Sequence, residues 1–576
     1  MNVRADQASR PAQVVASNPA ASVFVAANAG SGKTKTLVDR VARLLLTGSR
    51  PEAILCVTYT KAAAAEMQRR LFKELGAWAV MEDAPLRAKL LALEESGRDL
   101  PRARALFARA LETPGGIKIT TIHAFCEKLL RRFPLEAGVS PGFTVLEDVA
   151  AREVSARAKE DLANACRDRP DGPIGRAYSY FSVELDYGRF NDMFATFESE
   201  RRPIKAYVER CETVGGFGSD IWRRCGFGEP TTVAAIEDEA VARIRWGQWR
   251  RAAEALRTGT EATDLACATA MLKLDETSAF ADVWAIFSTK EGEPRKRMAT
   301  KAVDARASEW LVDEQRRLCE VLERIKAARI AEATVHAVSL ALGYIQLYDG
   351  AKDALRALDF GDLIQRADEL LTVRADAAWV LFKLDGGLDH VLLDEAQDTA
   401  PDQWDILRAL TAEFFIGQGA GESHRTVFAV GDEKQSIFSF QGAAPERMAA
   451  EAQQFGAMVS GAGRQFIQVP LLESWRSAPE VLTFVDAAIE PPEVTAALKP
   501  AGIASLRIRH TVTRTDHGCV DLWPIDETEL SDETDPWAPV DADPPESATK
   551  KLARRIAAQV KRMVEGGESV GDKGGP

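Results

Sequence analysis

The chain has 576 residues, of which 46% are hydrophobic and 28% charged, and this length and composition are typical of a globular protein with about three or four domains. It contains no apolar run of about twenty residues that could span a membrane, and its amino terminus lacks the apolar stretch of a signal peptide. We therefore expect a cytoplasmic protein without a membrane partner, and the eight scattered cysteines favour neither disulfides nor a metal site. The net charge of −13 argues against a nucleic-acid partner, but ten acidic residues lie in 521–547, and without them the charge is −3, which is compatible with a local basic groove.

Strands and helices alternate in the first part of the chain. Apolar segments predict strands at 22–26, 53–59 and 117–121, and each runs into a segment with helical spacing, the first of which stops at Gly48. Short connections between alternating strands and helices predict a parallel sheet, and ligands of such sheets bind at the carboxyl ends of the strands.

The middle of the chain has mainly helical spacing. It extends from about Pro134 to about Arg356, with predicted turns at 168–175, 215–220 and 290–294. Strand signals then return at 390–394, 426–431 and 465–470. This order predicts a helical domain inserted into the sheet domain. A further apolar stretch at 519–525 precedes the acidic, proline-rich segment, which we expect to be a flexible loop.

The segment AANAGSGKTKT, from Ala26 to Thr36, has the pattern of a phosphate-binding loop except that Ala27 stands at the first glycine of G-x-x-x-x-G-K-[ST]. A predicted strand precedes it and an amphipathic helix follows, so backbone N–H groups would converge on one phosphate. Lys33 would add a positive charge there and Thr34 a hydroxyl for Mg²⁺. The alternative is a glycine-rich turn with an exposed lysine.

Two adjacent carboxylates end the predicted strand in LLDEAQDT, residues 392–399. Asp394 at the carboxyl edge of the sheet can hold Mg²⁺ through water, and Glu395 can act as a base or orient the attacking water. On an ordinary surface strand such a pair is usually solvated charge. A phosphate-binding loop in the same sheet favours the catalytic interpretation.

Six motifs occur in the same order as in the superfamily one UvrD/Rep-like DNA helicases, which the chain therefore resembles. They are AxxGSGKT (27–34), TYTKAAAAEM (58–67), TIHAFC (121–126), LLDEAQDT (392–399), VGDEKQSIFSF (430–440) and LLESWRS (471–477). Within this family TYTKAAAAEM, LDFGDLI (358–364), VDLWP and the large insertion are most similar to the AddA helicase-nuclease subunits of bacterial AddAB complexes. RecB is a more distant relative.

The resemblance implies a fold and an activity. The implied fold is α/β, with a RecA-like P-loop parallel sheet domain (1–130 plus 356–470), a large inserted helical domain (131–355) and the beginning of a second RecA-like domain (471–576). The implied activity is an ATP-dependent 3'-to-5' DNA helicase that hydrolyses ATP with Mg²⁺ to move on single-stranded DNA. Such a helicase would act on duplex ends in double-strand-break repair and recombination, together with an AddB-like subunit.

The same resemblance assigns the nucleotide-binding residues. Relatives commonly read A-x-x-G-x-G-K-T, so the loop comprises Ala27, Asn28, Ala29, Gly30, Ser31, Gly32, Lys33 and Thr34. Gln13 is similar to the glutamine that reads adenine, with Gln7 as the weaker candidate. Gln435 is similar to a glutamine that senses the γ-phosphate, and Arg476 to an arginine that reaches this phosphate from the second motor domain. A surface salt bridge is the alternative role for Arg476.

Several residues in these motifs are candidate DNA contacts. They are Thr58, Tyr59, Lys61, His123, Phe125, Phe438 and Phe440. The polar side chains can contact phosphate and the phenylalanines can stack on bases, although core packing is the alternative for each phenylalanine. The chain departs from the common TFTNKAA pattern because Lys61 and Ala62 stand where asparagine and lysine are usual, so Lys61 is expected to reach phosphate by a different route.

Two basic segments of the insertion are further candidates for contact with duplex DNA. They are RIRWGQWRRAAEALR at 243–257, which contains Trp246 and Trp249, and PRKRMATK at 294–301. Amphipathic packing and a solvated loop are the alternatives, and we favour these.

The chain contains neither the later T-x-H-x-x-K-G-L-E and A-L-T-R-A motifs of the family nor a nuclease carboxylate cluster. We therefore expect an amino-terminal portion of a longer protein. Two hypotheses follow, namely an ATP-dependent helicase and an ATP- and DNA-binding module without unwinding activity.

Overall fold

The computed structural model describes residues 11–114, 116–213, 215–259, 262–385, 387–415, 424–437, 442–498, 510–527 and 547–567. The strands are β1 Ser22–Ala27, β2 Ile54–Thr58, β3 Lys118–Thr121, β4 Thr144–Val145, β5 Ala357–Leu358, β6 His390–Leu393, β7 Thr426–Gly431, β8 Phe466–Leu471, β9 Glu473–Ser474 and β10 Thr511–Val512.

The helices fall into four groups along the chain. Those around the first three strands are α1 Ala12–Ala16, α2 Lys33–Thr47, α3 Lys61–Val80, α4 Asp83–Ala92, α5 Leu100–Glu112, α6 Ile122–Arg132 and α7 Pro134–Ala137. The insertion contains α8 Asp148–Asp168, α9 Pro173–Glu184, α10 Tyr187–Ser199, α11 Arg201–Glu212, α12 Gly216–Arg224, α13 Val233–Ala242, α14 Trp246–Leu256, α15 Ala262–Met271, α16 Phe280–Phe287 and α17 Ala305–Ala354. The returning part has α18 Phe360–Thr372, α19 Ala377–Asp385, α20 Pro401–Thr411 and α21 Pro445–Gly461. The last part has α22 Pro479–Ile489, α23 Pro492–Leu498 and α24 Ala548–Glu565.

Six strands form one sheet in the order β3-β2-β6-β7-β1-β8, and every neighbouring pair is parallel. The sequence-predicted strands at 22–26, 53–59, 117–121, 390–394, 426–431 and 465–470 are therefore confirmed, with ends that differ by a residue or two. Because all six strands point the same way, the segments that follow β1, β2, β6 and β7 meet at one edge of the sheet.

Alternate residues of each strand enter two separate cores, as the twofold side-chain period of a strand requires. Val23 and Val25 face a core with α2, α3 and α5, and Phe24 faces a second core with α6, α18 and α20. Both faces of the central strands β2, β6 and β7 are thus buried, which explains why these strands read as continuous apolar runs. The α/β RecA-like fold is confirmed.

The helical insertion is joined to the sheet domain through a short pair of strands. Residues Thr144 and Val145 pair in parallel with Ala357 and Leu358, close to where the insertion begins and ends. The insertion has two cores of its own, and the 50-residue helix α17 contributes buried side chains to both. Helix α17 therefore runs through both halves of the insertion, each of which is built around one of these two cores.

Helix α17 also contains an 18-residue window with a mean hydropathy of 1.3, which makes it long and apolar enough to cross a membrane by length and composition alone. The sequence-based expectation was that no apolar run approaches the roughly twenty residues needed to span a membrane, and this window of α17 differs from that expectation. Composition of this kind is by itself weak evidence for a membrane span. Helix α17 contributes buried side chains to both cores of the insertion, and 33% of the apolar window is buried.

Two sequence-based assignments within the insertion are settled by packing. The turn predicted at 215–220 is wrong, because Gly216 begins a helix in which Ile221 and Trp222 are buried, and such burial outweighs the low helix propensity of the glycines. The packing interpretation of the segment 243–257 is confirmed, because Trp246 and Trp249 lie in a core. The indole of Trp249 donates a 2.8 Å hydrogen bond to the carbonyl of Met271. Neither tryptophan is available to DNA.

A buried histidine lies at the amino end of β6, on the sheet edge opposite the phosphate-binding loop. The ring nitrogens of His390 hydrogen-bond to the hydroxyls of Ser49 and Thr426, both at 2.9 Å. Burial, with the nearby positive charge of Arg40 as a smaller contribution, lowers the pKa of His390 to about 3. His390 is therefore neutral in the folded protein at all but strongly acidic pH.

This histidine gives a pH-dependent stability. Since the unfolded His390 has an ordinary pKa near 6.5, the unfolded state gains a proton first as pH falls, and folded-state stability is lost progressively below about pH 6.5. We expect the free energy of unfolding of the wild type to fall by about 3 kcal/mol more than that of His390→Gln between pH 7 and pH 4. Denaturant unfolding of both proteins across this range measures the difference, and parallel curves would contradict the prediction.

Candidate nucleotide-binding site

The loop between β1 and α2 has the backbone geometry of a phosphate cradle. Gly30 and Gly32 have φ angles of +74° and +86°, which side-chain-bearing residues rarely adopt. Gly32 caps α2, which begins at Lys33, so the amino end of a fifteen-residue helix points to the carboxyl edge of the sheet. The partial positive charge of that helix end and its free N–H groups attract an anion.

Lys33 and Glu395 meet across this edge. The Lys33 ammonium donates to a carboxylate oxygen of Glu395 at 2.7 Å, and the lysine side chain is only 13% exposed. Glu395 has a φ of +50°, a left-handed conformation that costs a non-glycine residue energy. The structure therefore brings together the lysine of the first motif and the glutamate of the fourth, which are 362 residues apart.

Asp394 lies next to this pair and is buried. Its backbone N–H donates to the carbonyl of Val57 at 2.9 Å, which fixes it to the end of β2, and its carboxylate accepts from the N–H of Glu395 at 3.1 Å. Burial, with the charge of Glu395 as a smaller contribution, raises the pKa of Asp394 to about 6. A buried carboxylate whose charge is so poorly compensated is a favourable position for a cation.

Gln397 connects the two carboxylate motifs. Its amide group donates to Glu395 at 2.9 Å and to Asp398 at 3.1 Å, and its carbonyl accepts from the N–H of Asp432 at 2.9 Å. Asp432 in turn accepts from the side chain of Gln435 at 2.7 Å. Gln435 is therefore linked to Glu395 indirectly, through Asp432 and Gln397.

The segment after β8 packs directly on the phosphate loop. The N–H of Trp475 donates to the carbonyl of Gly30 at 2.9 Å. A Cβ atom added to Gly30 would lie 2.6 Å from Cβ of Arg476 and 2.8 Å from the hydroxyl of Ser474. This close approach requires glycine at position 30 and places the backbone of Arg476 against the loop, 446 residues away in sequence.

Three buried polar atoms around this loop suit an additional ligand. Within the described part of the chain the amide nitrogen of Asn28 and the hydroxyls of Ser31 and Ser474 have no hydrogen-bond partner. A buried polar group without a partner costs free energy, so native proteins rarely leave three in one place. Phosphate oxygens would accept from all three groups, and the residues therefore fit a nucleotide phosphate.

The donors for Mg²⁺ are few. Among the described residues there is no group of three or more histidine, cysteine, aspartate or glutamate side chains that could hold a metal ion. The candidate oxygen donors are the Thr34 hydroxyl in the first turn of α2 and the Asp394 carboxylate directly after β6. One or two protein oxygens are the usual complement for Mg²⁺ that is bound mainly by nucleotide phosphates and water, so these residues fit the ion.

Gln13 lies on the short helix α1, half-buried, where α1 packs against β8 and α2. Its proposed contact with adenine stays a prediction. Gln7 lies outside the described residues.

The candidate DNA contacts are placed at the carboxyl ends of β2 and β3. Thr58 ends β2 and is buried, Tyr59 is half-buried, and Lys61 is exposed at the first residue of α3. The Thr60 hydroxyl caps α3 by accepting from the N–H of Ala63 at 3.0 Å. The start of α3 thus presents a helix end and an exposed lysine, both of which suit a phosphate.

The aromatic candidates differ in environment. His123 is half-buried and its ring lies 5.4 Å from that of Phe360, edge to face. Burial lowers the pKa of His123, so a charged contact from it to phosphate is disfavoured. Phe125 packs against the core on one face of the sheet, as the core-packing alternative requires. Phe438 and Phe440 lie outside the described residues, so their DNA contacts stay a prediction.

This geometry agrees with a family comparison. Residues 8–456 match the model of the UvrD/REP helicase N-terminal domain, which is more than half of the chain. The chain belongs to the UvrD/REP helicase family. The match covers the phosphate loop, Asp394, Glu395 and Gln435, and ends before Arg476.

Curated relatives of this UvrD/REP helicase chain are named as ATP-dependent helicase/nuclease subunits of the AddA type. One from Listeria monocytogenes serotype 4b (strain F2365) is 25% identical over 604 aligned residues, which is 96% of this chain and 44% of the relative. One from Latilactobacillus sakei subsp. sakei (strain 23K) is 24% identical over 81% of this chain and 52% of the relative. The similarity to AddA proteins is thus confirmed, and the chain spans about half the length of these relatives.

Two residues of the site were not singled out from the sequence. Gln397 stands inside the LLDEAQDT motif, but nothing in the pattern shows that it bonds to both Glu395 and the Asp432 backbone. Trp475 stands inside LLESWRS, its backbone N–H bonds to the carbonyl of Gly30, and the residue is 58% exposed. An exposed aromatic face in that position is one on which a nucleobase can stack. The signal that could have identified it is its place directly before Arg476 in the LLESWRS motif.

Proposed function

We propose that this chain is the nucleotide-binding motor portion of an AddA-like, ATP-dependent 3'-to-5' DNA helicase. Such an enzyme would hydrolyse ATP to move on single-stranded DNA from duplex ends, in double-strand-break repair and recombination, with an AddB-like partner protein. The observation that carries the proposal is the convergence of the Gly30–Gly32 cradle, the Lys33–Glu395 pair and the Arg476 segment at one edge of the sheet.

The residues divide the chemistry of phosphoryl transfer among them. The loop N–H groups and Lys33 would bind the β- and γ-phosphates, while Thr34 and Asp394 would hold Mg²⁺, which supplies charge compensation on these phosphates. Phosphate oxygens compete with Glu395 for the Lys33 ammonium, so nucleotide binding would release Glu395 to orient the attacking water. Arg476, whose backbone lies against Gly30, would stabilise negative charge that develops in the transition state.

DNA would bind along the neighbouring part of the same edge. The exposed Lys61 and the amino end of α3 follow β2, directly beside β6, which carries Asp394 and Glu395 at its end. A strand bound there would contact the loop after β2 within reach of changes at the nucleotide. This adjacency supports coupling of hydrolysis to movement on DNA.

A specific observation favours a second candidate function for the chain as it stands. The chain spans 44% of the Listeria relative, and among the described residues the sheet that follows Leu471 has two strands, β9 and β10. The second candidate, for these 576 residues by themselves, is a Mg-ATP- and DNA-binding module without unwinding activity, which the phosphate loop and the exposed Lys61 support.

The test is a comparison of the purified 576-residue chain with Lys33→Ala. We expect the wild type to bind Mg-ATP, and the variant to lose ATP hydrolysis by more than about 100-fold, because an ammonium aimed at the phosphates is removed. We expect neither protein to separate a duplex with a single-stranded tail. Nucleotide binding by fluorescence, phosphate release and strand separation are measured on both.

The outcomes distinguish the two candidates. Robust unwinding by the wild type that Lys33→Ala abolishes would favour the helicase over the binding module for this chain. Equal nucleotide affinity in both proteins would contradict the assignment of the site. Arg210→Ala, which removes an exposed cation far along the sequence on α11, is the matched charge control.

A further inference from the structure

The insertion is attached to the motor domain by a buried ionic cluster at the start of α18. The guanidinium of Arg201 lies 2.6 Å from Asp359 and 2.8 Å from Asp362, and the ammonium of Lys352 lies 3.0 and 2.7 Å from the same two carboxylates. Each of these four side chains is at most 14% exposed. Although burial alone would raise its pKa, the two cations hold the pKa of Asp359 at about 2.

This cluster holds the insertion firmly against the start of α18. The two cations and two carboxylates pair with one another, Lys352 also lies 3.1 Å from Asp349, and removing one member of such a buried arrangement leaves an uncompensated charge. Asp359 and Asp362 also form the capping box of α18, so the cluster is tied to the backbone of the motor domain.

The next residue, Arg202, makes a second and different link. It lies 2.7 Å from Asp368, which is buried on α18, and it also hydrogen-bonds to Asp402 in the first turn of α20. Arg202 and Asp402 are 38% and 41% exposed, in contrast to the Arg201 cluster. An exposed ion pair contributes little to stability and is readily exchanged for water.

Asp402 lies close to the candidate catalytic carboxylate along the chain. A tight turn at Ala396–Asp398 follows Glu395, the N–H of Asp398 donates to the Glu395 carbonyl at 2.9 Å, and α20 begins at Pro401. The left-handed backbone of Glu395 is strained, and the bond from Lys33 to its carboxylate helps to hold it in place. Release of the carboxylate from Lys33 would therefore allow this turn to shift. Any displacement is passed to the start of α20 and thus to Asp402.

We infer that Arg202 is a positioning residue, which couples the orientation of the helical insertion to the state of the 395–402 turn. The Arg201–Lys352 cluster acts as the pivot, and the Arg202–Asp402 pair is the link that forms or breaks. The inference rests on the proposed nucleotide site, because the signal originates at Glu395. It assigns the insertion a conformational response to nucleotide through one exposed ion pair.

Hydrogen exchange of the full 576-residue chain tests this inference, with and without a non-hydrolysable ATP analogue and Mg²⁺. In the wild type we expect the analogue to alter exchange at 395–402 and also in α11. In Arg202→Ala we expect the change at 395–402 to persist while the change in α11 is lost, and Arg202→Lys should restore part of it. Arg210 lies on the same helix, and its guanidinium donates to the backbone carbonyl of Ala206 one turn earlier, so Arg210→Ala should behave as the wild type.

Measurement of ATP hydrolysis distinguishes a loss of coupling in Arg202→Ala from general damage to the structure. We expect Arg202→Ala to leave basal ATP hydrolysis unchanged, since the ion pairs of Arg202 are to Asp368 and Asp402, whereas the response of α11 to the nucleotide is lost. An α11 response that is equal in the wild type and Arg202→Ala overturns the inference. A wild type without any response at 395–402 overturns the nucleotide site itself, and the coupling with it.

Discussion

The substitution Glu395→Gln should abolish most ATP hydrolysis while nucleotide binding remains. We expect kcat to fall by about 10² to 10⁴, the range typical of removing a group that activates or orients the attacking water. Binding should be unchanged or tighter, since phosphates no longer compete with a carboxylate for Lys33, which bonds to Glu395 at 2.7 Å. Phosphate release and fluorescent-nucleotide titration measure the two effects separately.

The control for this substitution is Glu413→Gln, which makes the same charge change at an exposed position after α20. It should hydrolyse ATP as the wild type does. The fold should survive Glu395→Gln, because glutamine has nearly the same size and keeps a side-chain oxygen that can accept from the Lys33 ammonium. Hydrolysis by Glu395→Gln within threefold of the wild type would show that another group performs this step.

The second large effect is expected for Gly30→Ala. The added methyl group would lie 2.6 Å from Cβ of Arg476, an atom that no side-chain rotation can move away, and the residue would retain a φ of +74°. The segment with Trp475 and Arg476 must therefore separate from the phosphate loop. We expect hydrolysis to fall by about 10²-fold, the loss typical when a reacting group is misplaced by about 1 Å.

Gly32→Ala is the matched variant for stability. Its backbone has a similar φ of +86°, but an added Cβ would meet no protein atom within 4 Å. Denaturant unfolding should show a cost of about 1 to 2 kcal/mol for Gly32→Ala, from the left-handed conformation alone. Gly30→Ala should cost distinctly more, and equal costs would mean that the contact between the loop and Arg476 does not hold the two segments together.

The sequence anticipated the site better than the joint with the insertion. The phosphate loop, Asp394 and Glu395 were identifiable because each lies directly after an apolar strand, and in a parallel sheet the residues after the strands meet at one edge. The distance between Lys33 and Glu395 follows from strand order, with β1 and β6 separated by β7. Periodicity alone does not give that order.

The insertion shows where local patterns fail. The packing that the sequence favoured for Trp246 and Trp249 is confirmed by their position in a core, but the turn predicted at 215–220 is wrong, because a helix begins at Gly216. The LDFGDLI segment was useful as a family resemblance, yet its carboxylates meet Arg201, which lies 158 residues before Asp359, as well as Lys352 near the end of the preceding helix. A pattern of charges does not show which distant charges it will meet.

By itself, the amino-acid sequence determined the strands, the glycine-rich loop and the adjacent carboxylates of this UvrD/REP helicase chain, because strand periodicity and the φ requirements of Gly30 and Gly32 are local properties. Only the tertiary structure decided that Arg476 approaches Gly30, that Gln397 joins Glu395 to Asp432, and that Arg202 ties the insertion to α20. These contacts join segments whose separation along the chain is set by the whole fold. Their formation depends on burial and charge pairing between elements that no local window contains.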